Sequence, residues 1–375
     1  MQRTIVSSWN EWDPLKHVIV GRADNTVIQA PEPAIERDFR EYGIPLGLYG
    51  SIPQELVDKA NEQLDNFVTI LEKRGVRVDR PTPLDFHQEV KTPDWTQKTM
   101  FGCMPPRDIL LTVGNEIIEA TMSYRSRWFE YLCYRPLLQQ YFKEDPQMLW
   151  NVAPKPRLTD RTYKKDFWPE WHTLSKEEQL ERSKRTEWTI TEEEPLFDAA
   201  SVSRWGKDLF VERSTVTNYQ GIEWLKRHFP NHRVHTVRVK EEWPVHIDAD
   251  LVPLRPGLVL ANQKRTLLTE KIYELFKIND WKVVTCVQPA HQKKAHLATV
   301  SIWISMNLLS LDSKTVCVEE SEHAQMEQLD KLGFEVVPVP FWDVAPFGGG
   351  LHCATADVFR EGNLEDYFPK QIKDV

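Results

Sequence analysis

The sequence is poor in the features that mark secreted, membrane-spanning and nucleic-acid-binding proteins. Its five cysteines are an odd number at irregular spacing without a C-x-x-C pair, so a disulfide framework is not expected. Residues 1–20 contain charges and two tryptophans where a signal peptide needs an apolar stretch. Polar side chains interrupt the longest apolar region, residues 297–311, so it cannot span a bilayer. We therefore expect a protein of the cytoplasm without a membrane partner.

Charge and composition narrow the class of protein further. The formal net charge of −9 argues against a nucleic-acid partner, because phosphate contacts need concentrated Lys and Arg. That charge is compatible with a cationic substrate. With 41% hydrophobic and 27% charged residues, the chain has the composition of a globular protein. At 375 residues it can bury a large core without disulfides or a structural metal.

A pattern of strand, helix, turn and strand recurs along the chain. Short apolar strands are predicted at residues 17–20, 108–113, 208–211, 257–260 and 315–318. The end of each following helix, its turn and a second strand are predicted within residues 71–81, 138–154, 225–239, 276–287 and 329–340. Residues on one face of the first helix are Leu56, Ala60, Leu64, Phe67 and Leu71. Five copies favour a ring of similar units over the alternative, an open α/β sheet.

Residues 154–195 do not fit this repeat. The segment is polar and charged, and Ser175 and Glu178 have the spacing of a helix capping box. We interpret the segment as an insertion within a single domain that spans residues 1–375. A covering over a functional site and a plain solvated connection are equally consistent with its composition.

Cys353 is the candidate nucleophile, because three consecutive glycines precede it in the sequence FGGGLHCAT. Glycines let the backbone turn tightly and approach a ligand closely, which predicts an exposed thiol rather than a packed one. The alternative is a buried structural cysteine, the usual state of a free thiol. Cys286 and Cys317 keep that structural interpretation, because they lie in predicted apolar strands.

A nucleophilic thiol needs a base, and His246 is the better of two candidates. His352 is adjacent to Cys353, and neighbouring side chains on extended backbone point to opposite sides. His246 lies in the sequence VHIDAD; on a strand it would share one face with Asp248 and Asp250. Three interpretations stay open: a metal site, a solvated face of an edge strand, and a base beside a carboxylate that holds a cationic substrate.

Two further acids are candidates because of their context. Asp198 lies among apolar and small residues in LFDAA, where burial would be costly without a cationic partner. Asp108 begins a predicted strand directly after Pro105, Pro106 and Arg107. A helix cap or a turn cap is the more common explanation for either acid alone.

Taken in chain order, Asp108, LFDAA, VHIDAD and GGGLHC resemble the arginine:glycine and inosamine-phosphate amidinotransferases of the pentein superfamily. The resemblance extends from Asn10 to Tyr367, and the C-terminal third is most similar to members from cyanotoxin pathways. It implies an α/β fold, a five-bladed pseudo-symmetric ββαβ propeller. The implied activity is transfer of the amidino group of L-arginine to a small amine acceptor in specialised-metabolite or toxin biosynthesis. The resemblance implies neither a cofactor nor a metal, and it leaves a homodimer open.

The resemblance also implies a catalytic triad of Asp198, His246 and Cys353. Asp108 and Asp248 are implied to hold the guanidinium group of the donor. The thiol would attack the guanidinium carbon, His246 would protonate the departing ornithine amine, and an amidino-cysteine would remain. The acceptor amine would then take the amidino group, with His246 acting as the base.

Further positions follow from the same resemblance. Arg265 is expected to meet the α-carboxylate of the donor, with Ser301 beside it. Trp243 and Val245 are expected at the acceptor pocket, where they make it more apolar than in the vertebrate glycine enzyme. Trp243 weakly favours a small acceptor because added volume shrinks a pocket. Ser201 stands where the family has an aspartate, and the sequence does not say what that changes.

Two alternatives to amidino transfer remain at this stage. A hydrolase of the arginine deiminase type would use the same fold and the same covalent intermediate. A pentein without catalytic activity would serve as a binding module, but the three triad positions are all retained. Release of ornithine that depends on an added amine distinguishes transfer from hydrolysis, which yields citrulline and ammonia.

Overall fold

The computed structural model describes residues 4–36, 43–45 and 47–372, and its elements are numbered here in chain order. The strands are Leu15–Val20 (β1), Val27–Ile28 (β2), Gly50–Ser51 (β3), Arg77–Asp79 (β4), Val90–Lys91 (β5), Thr96–Gln97 (β6), Leu110–Val113 (β7), Glu116–Glu119 (β8), Leu149–Val152 (β9), Val202–Trp205 (β10), Asp208–Glu212 (β11), Arg233–Val239 (β12), Leu251–Arg255 (β13), Leu258–Ala261 (β14), Thr266–Leu267 (β15), Lys282–Thr285 (β16), Leu309–Ser310 (β17), Thr315–Glu319 (β18), Glu335–Val339 (β19) and Thr355–Arg360 (β20). The α-helices are Gln54–Lys73 (α1), Pro106–Ile109 (α2), Arg135–Glu144 (α3), Phe167–Trp171 (α4), Lys176–Lys184 (α5), Tyr219–His228 (α6), Glu270–Ile278 (α7) and His323–Lys331 (α8).

Five units with one topology account for most of these elements within the described residues. In each unit two antiparallel strands are followed by a helix and a third strand, which pairs parallel with the second. The strand orders are β7-β8-β9, β10-β11-β12, β13-β14-β16, β17-β18-β19 and β20-β1-β4. The C-terminal strand β20 therefore completes the unit that begins at the N-terminus. Four of the five predicted strand–helix–strand copies match the last three elements of a unit. In the other copy the predicted strand at 108–113 is β7, and the strand directly before α3 is β8.

The middle strands β1, β11, β14 and β18 are almost entirely buried, as their apolar sequences predict. In β11, for example, every residue is buried, and Leu209 pairs with Val234 of the parallel strand β12. The helix between these two strands covers one face of the sheet. In α1 the covering face consists of Val57, Ala60, Leu64, Phe67 and Leu71, in the predicted helical spacing. Leu56, which was predicted on this face, is only half-buried.

Two predicted strands begin later than expected. Asp108 lies in the single-turn helix α2, and the strand starts at Leu110, because Pro106 at the first helical position fixes a helical φ there. His246 is extended, but the next three residues form a 3₁₀ turn before β13, with the Asp250 N–H bonded to the Ile247 carbonyl at 2.9 Å. The prediction that His246, Asp248 and Asp250 alternate on a strand is therefore wrong.

The inserted segment, residues 154–195, packs against the loop that precedes His246. Its capping box is confirmed, since the Glu178 N–H donates to Ser175 Oγ and the Ser175 N–H donates to the Glu178 carboxylate. On the preceding helix, Trp168 and Trp171 pack against Trp243 with ring centroids 4.9 and 5.7 Å apart. The insertion is thus more than a solvated connection.

Within the described part of the chain, none of the helices combines the length and the apolar character that crossing a bilayer requires.

Candidate active site

One residue from each of the five units faces a common cavity of about 380 Å³. These residues lie on the segments that lead into the first strand of each unit: Asp108 before β7, Asp198 before β10, Asp248 before β13, Asn307 before β17 and Cys353 before β20. The shared topology brings together side chains that are as far apart in sequence as Asp108 and Cys353. Four of these five positions were predicted from the sequence as site residues.

The glycine run allows Cys353 to approach this cavity. At Gly349, which has φ +154°, an added Cβ would come within 2.6 Å of the Cys353 sulfur. At Gly350 it would come within 3.0 Å of the side chain of Asn307. The predicted exposure of Cys353 is wrong in one respect, because its side chain faces the internal cavity and only 4% of the residue is exposed.

The sulfur of Cys353 lies between a carboxylate and an amide. It is 3.4 Å from Asp248 Oδ2 and 3.1 Å from Asn307 Nδ2. Burial raises the pKa of the thiol well above its ordinary value, and the charges of Asp248 and Asp108 raise it further. Burial and both carboxylates therefore favour the protonated thiol.

His246 lies beside the thiol with a carboxylate at each ring nitrogen. Nε2 is 3.1 Å from Asp198 Oδ2, and Nδ1 is 3.6 Å from Asp108 Oδ1. A ring nitrogen, an oxygen of Asp108 and the sulfur of Cys353 all lie within 4.8 Å of one another. Burial lowers the pKa of His246, but Asp108, Asp198 and Asp248 outweigh it and raise the pKa to about 9. This geometry favours the interpretation of His246 as an acid and base.

Arg127 is a buried cation of the site that the sequence analysis missed. Its Nη1 is 2.8 Å from Asp108 Oδ2 and 4.0 Å from Asp198 Oδ2, and its Nη2 is 2.9 Å from Glu130. Arg127 thus occupies one oxygen of Asp108 and holds the other toward His246. The remaining oxygens, Asp108 Oδ1 and Asp198 Oδ1, are buried without a hydrogen-bond partner among the described residues. Such oxygens suit the N–H groups of a planar cation.

His352 binds the same oxygen of Asp248 that the Cys353 sulfur approaches. Its Nδ1 is 2.8 Å from Asp248 Oδ2, and its Nε2 is 3.4 Å from Glu11 Oε2. Burial raises the pKa of Asp248, but the hydrogen bond and charge of His352 outweigh it, so the pKa lies below its ordinary value. Glu11 is in turn paired with the buried Arg204 at 2.7 Å. The argument against His352 as the base agrees with this geometry.

Arg265 and Ser301 form another wall of the same cavity. Arg265 Nη1 donates to Ser301 Oγ at 3.3 Å, so the two predicted donor-binding residues are in contact. Arg265 Nε also lies 2.9 Å from Glu241 and 3.3 Å from Asp250. Asp250 therefore belongs to the Arg265 wall and does not join His246 and Asp248 as a ligand of one metal ion.

Trp243 and Val245 both line the cavity, beside Lys176 of the insertion. Lys176 forms an ion pair with Glu242 at 2.7 Å, so the insertion contributes directly to the cavity wall. Ser201, at the position where a family aspartate was expected, is fully buried. It accepts a hydrogen bond from Thr217 at 2.8 Å and donates to the Val245 carbonyl at 3.5 Å, which connects it to the wall that Val245 forms.

The chain has relatives of known activity along almost its whole length, although no protein-family model matches it. The mitochondrial glycine amidinotransferase of Danio rerio is 41% identical over 367 residues, which cover 97% of this chain and 85% of that protein. The L-arginine:L-lysine amidinotransferase of Pseudomonas savastanoi pv. phaseolicola is 37% identical over 377 residues and 98% of each chain.

Solved structures of two amidinotransferases are also similar to this chain along almost its whole length. SxtG, an amidinotransferase of the saxitoxin biosynthetic pathway from Microseira wollei, has a TM-score of 0.84 at 37% identity, over 97% of this chain and 99% of that one. The inosamine-phosphate amidinotransferase of Streptomyces griseus has a TM-score of 0.82 at 36% identity, over 98% of this chain and 100% of that one. A dimethylarginine dimethylaminohydrolase, at 13% identity and a TM-score of 0.54, shares the fold alone.

The raised pKa of His246 predicts how the free energy of unfolding depends on pH. The charged imidazole stabilises the fold fully below pH 6.5, and this stabilisation is lost as the pH rises through about 9. Denaturant unfolding across this range should therefore show a larger loss of stability for the wild type than for His246→Gln. The exposed His87→Gln should behave like the wild type. Equal pH profiles for the wild type and His246→Gln would contradict the charged state of His246.

Proposed function

Because the chain belongs to the amidinotransferase family, we propose that it moves the amidino group of L-arginine to a small primary amine through an amidino-Cys353 intermediate. The observation that carries this proposal is the convergence of Asp108, Asp198, Asp248, His246 and Cys353 on one cavity. Three carboxylates around a thiol favour a ligand that is planar and positively charged, as a guanidinium group is. The similarity to SxtG supports a role in specialised metabolism or toxin biosynthesis.

In this proposal the donor itself activates the nucleophile. The guanidinium cation meets the carboxylates of Asp108 and Asp248 and the unpartnered oxygen of Asp198. Its charge offsets the carboxylates that raise the pKa of the Cys353 thiol. The guanidinium carries one positive charge into the cavity, and the thiol releases one proton to the solvent. The total charge of the cavity is therefore unchanged. Arg265 and Ser301 receive the α-carboxylate of arginine at the other wall.

The transfer then proceeds in two halves. The thiolate forms a bond to the guanidinium carbon, and the bond from that carbon to the ornithine nitrogen breaks as His246 protonates the nitrogen. Ornithine leaves, and the acceptor amine attacks the amidino-cysteine while His246 takes its proton. The bond between carbon and sulfur breaks, which restores Cys353. The residues that take part need no bound metal or cofactor for any of these steps.

For the acceptor, the proposal is a small amino acid or amine. Trp243 projects from the loop before His246 and is held by the aromatic side chains of the insertion. A bulky indole in the cavity wall reduces the space beside the thiol. The relatives act on acceptors as different as glycine, lysine and an inosamine phosphate, so the family alone does not specify the acceptor.

Cys353→Ala should abolish turnover, because in the proposed mechanism the Cys353 sulfur carries the amidino group from donor to acceptor. Incubation of the wild type with arginine and no acceptor should add one amidino group to the peptide that contains Cys353, detectable by mass spectrometry. Cys286→Ala and Cys317→Ala are matched controls, since both thiols are buried and their pKa values are raised by burial to about 11 and about 12. An adduct on either of them, or citrulline in place of ornithine, would overturn the mechanism.

Asp108→Asn and Asp248→Asn keep the shape of each side chain but remove its charge. Each should weaken transition-state stabilisation by about 2–5 kcal/mol, the range for truncating one partner of a buried charge pair. Steady-state kcat/KM for arginine measures this loss. Asp280→Asn, an exposed change outside the cavity, is the control. A decrease of less than about tenfold in both variants would exclude these carboxylates as a guanidinium clamp.

Trp243→Ala should admit longer acceptors such as γ-aminobutyrate, because it removes the indole from the cavity wall. Trp168→Ala is the matched control: it loosens the same aromatic cluster without removing a side chain that lines the cavity. Arg265→Ala should impair arginine use with every acceptor. A screen of amines that follows ornithine release measures all three variants. Wild-type enzyme that ignores glycine and prefers a large aminocyclitol amine would contradict the small acceptor.

A further inference from the structure

Asn307 is the one residue of the five equivalent positions for which the proposed mechanism has no role. It ends the short 3₁₀ helix Ile302–Met306, directly before β17, and only 3% of it is exposed. In the other four units this position carries a carboxylate or the thiol. The side chain of Asn307 lines the same cavity, and among those four residues it forms hydrogen bonds with Cys353.

Two hydrogen bonds determine which way the Asn307 amide points. The Cys353 backbone N–H can only donate, and it lies 2.9 Å from the oxygen Oδ1. The nitrogen Nδ2 must then face the other way, and it lies 3.1 Å from the Cys353 sulfur. The His352 N–H also donates to the Asn307 carbonyl at 3.2 Å, which holds the backbone of the two segments together. The amide therefore presents an N–H donor to the sulfur.

The Asn307 donor stabilises a thiolate, whereas the nearby carboxylate of Asp248 destabilises it. A protonated thiol can donate its hydrogen toward Asp248 Oδ2 at 3.4 Å. After the proton is lost, the same carboxylate repels the sulfur, whereas the bond from Asn307 becomes charge-assisted and stronger. The amide is fixed before reaction by its second bond to the backbone, so it needs no reorganisation when the charge forms.

We propose that Asn307 is a catalytic residue that stabilises the Cys353 thiolate by donating an N–H hydrogen bond to its sulfur. This role rests on the proposed function only in taking Cys353 as the nucleophile. The close approach it needs also explains the run of three glycines. A side chain at Gly349 would meet the sulfur, and one at Gly350 would meet Asn307. The glycines thus preserve the contact between donor and nucleophile.

The test is a pH titration of the Cys353 thiol in the full chain, without arginine. The ultraviolet absorbance of the thiolate is followed against pH in each protein, and the absorbance of the same protein carrying Cys353→Ser is subtracted. In Asn307→Leu, a neutral variant of similar size, the titration midpoint should rise by at least about one pH unit, a tenfold loss of thiolate at a given pH. The other charged groups that face the sulfur, Asp108, Asp248 and His246, remain in place.

Ser305→Ala, a buried change on the same 3₁₀ helix, should leave the midpoint where it is in the wild type. A merely structural role for Asn307 would lower the thermal stability of Asn307→Leu without moving the thiol midpoint, and that result would overturn the proposal. If Asn307→Leu does not fold, Asn307→Ala replaces it under the same criterion. The titration uses no substrate, so it is independent of whether arginine is the donor.

Discussion

The site depends on one electrostatic constraint: three carboxylates are buried around a cavity that also holds a thiol. Burying a carboxylate without a partner is costly, and Asp108, Asp198 and Asp248 are each less than a tenth exposed. The protein supplies Arg127 against Asp108, His246 against Asp198 and His352 against Asp248. Each of these partners leaves part of the carboxylate facing the cavity. The proposed cationic ligand binds the carboxylate oxygens that face the cavity.

The five ββαβ units explain how such a cluster can be built at all. Acids that are adjacent in sequence would repel one another in every conformation, whereas here each comes from the start of a separate unit. Sheets of three or four strands hold the segments, and buried ion pairs lie behind them. Arg204, for example, is fully buried and pairs with both Glu11 and Asp357. The repulsion among the three carboxylates is thus opposed by contacts throughout the fold, and not by one loop alone.

Sequence patterns predicted the repeated units and those site residues that lie in a distinctive local sequence. Apolar strands and helical spacing predicted the five repeats, and the glycine run identified Cys353. Arg127 and Asn307 were missed because nothing in their own neighbourhoods marks them. Arg127 reaches Asp108 across 19 residues of chain, and Asn307 reaches Cys353 across 46. The turn at 247–249 was missed because alternation of polar and apolar residues in VHIDAD has the period of a strand.

The state of the thiol links donor binding to reactivity. A thiolate that was always present would react with other electrophiles and oxidants, since the thiolate is the reactive form. Here burial and the carboxylates of Asp248 and Asp108 raise the pKa of Cys353, and these two carboxylates together with Asp198 raise the pKa of His246 to about 9. A guanidinium cation weakens both effects at once: it favours loss of the thiol proton and makes His246 a better acid. In the proposed mechanism the substrate therefore brings the charge that makes the thiol reactive. This requires that the carboxylates face the cavity rather than one another.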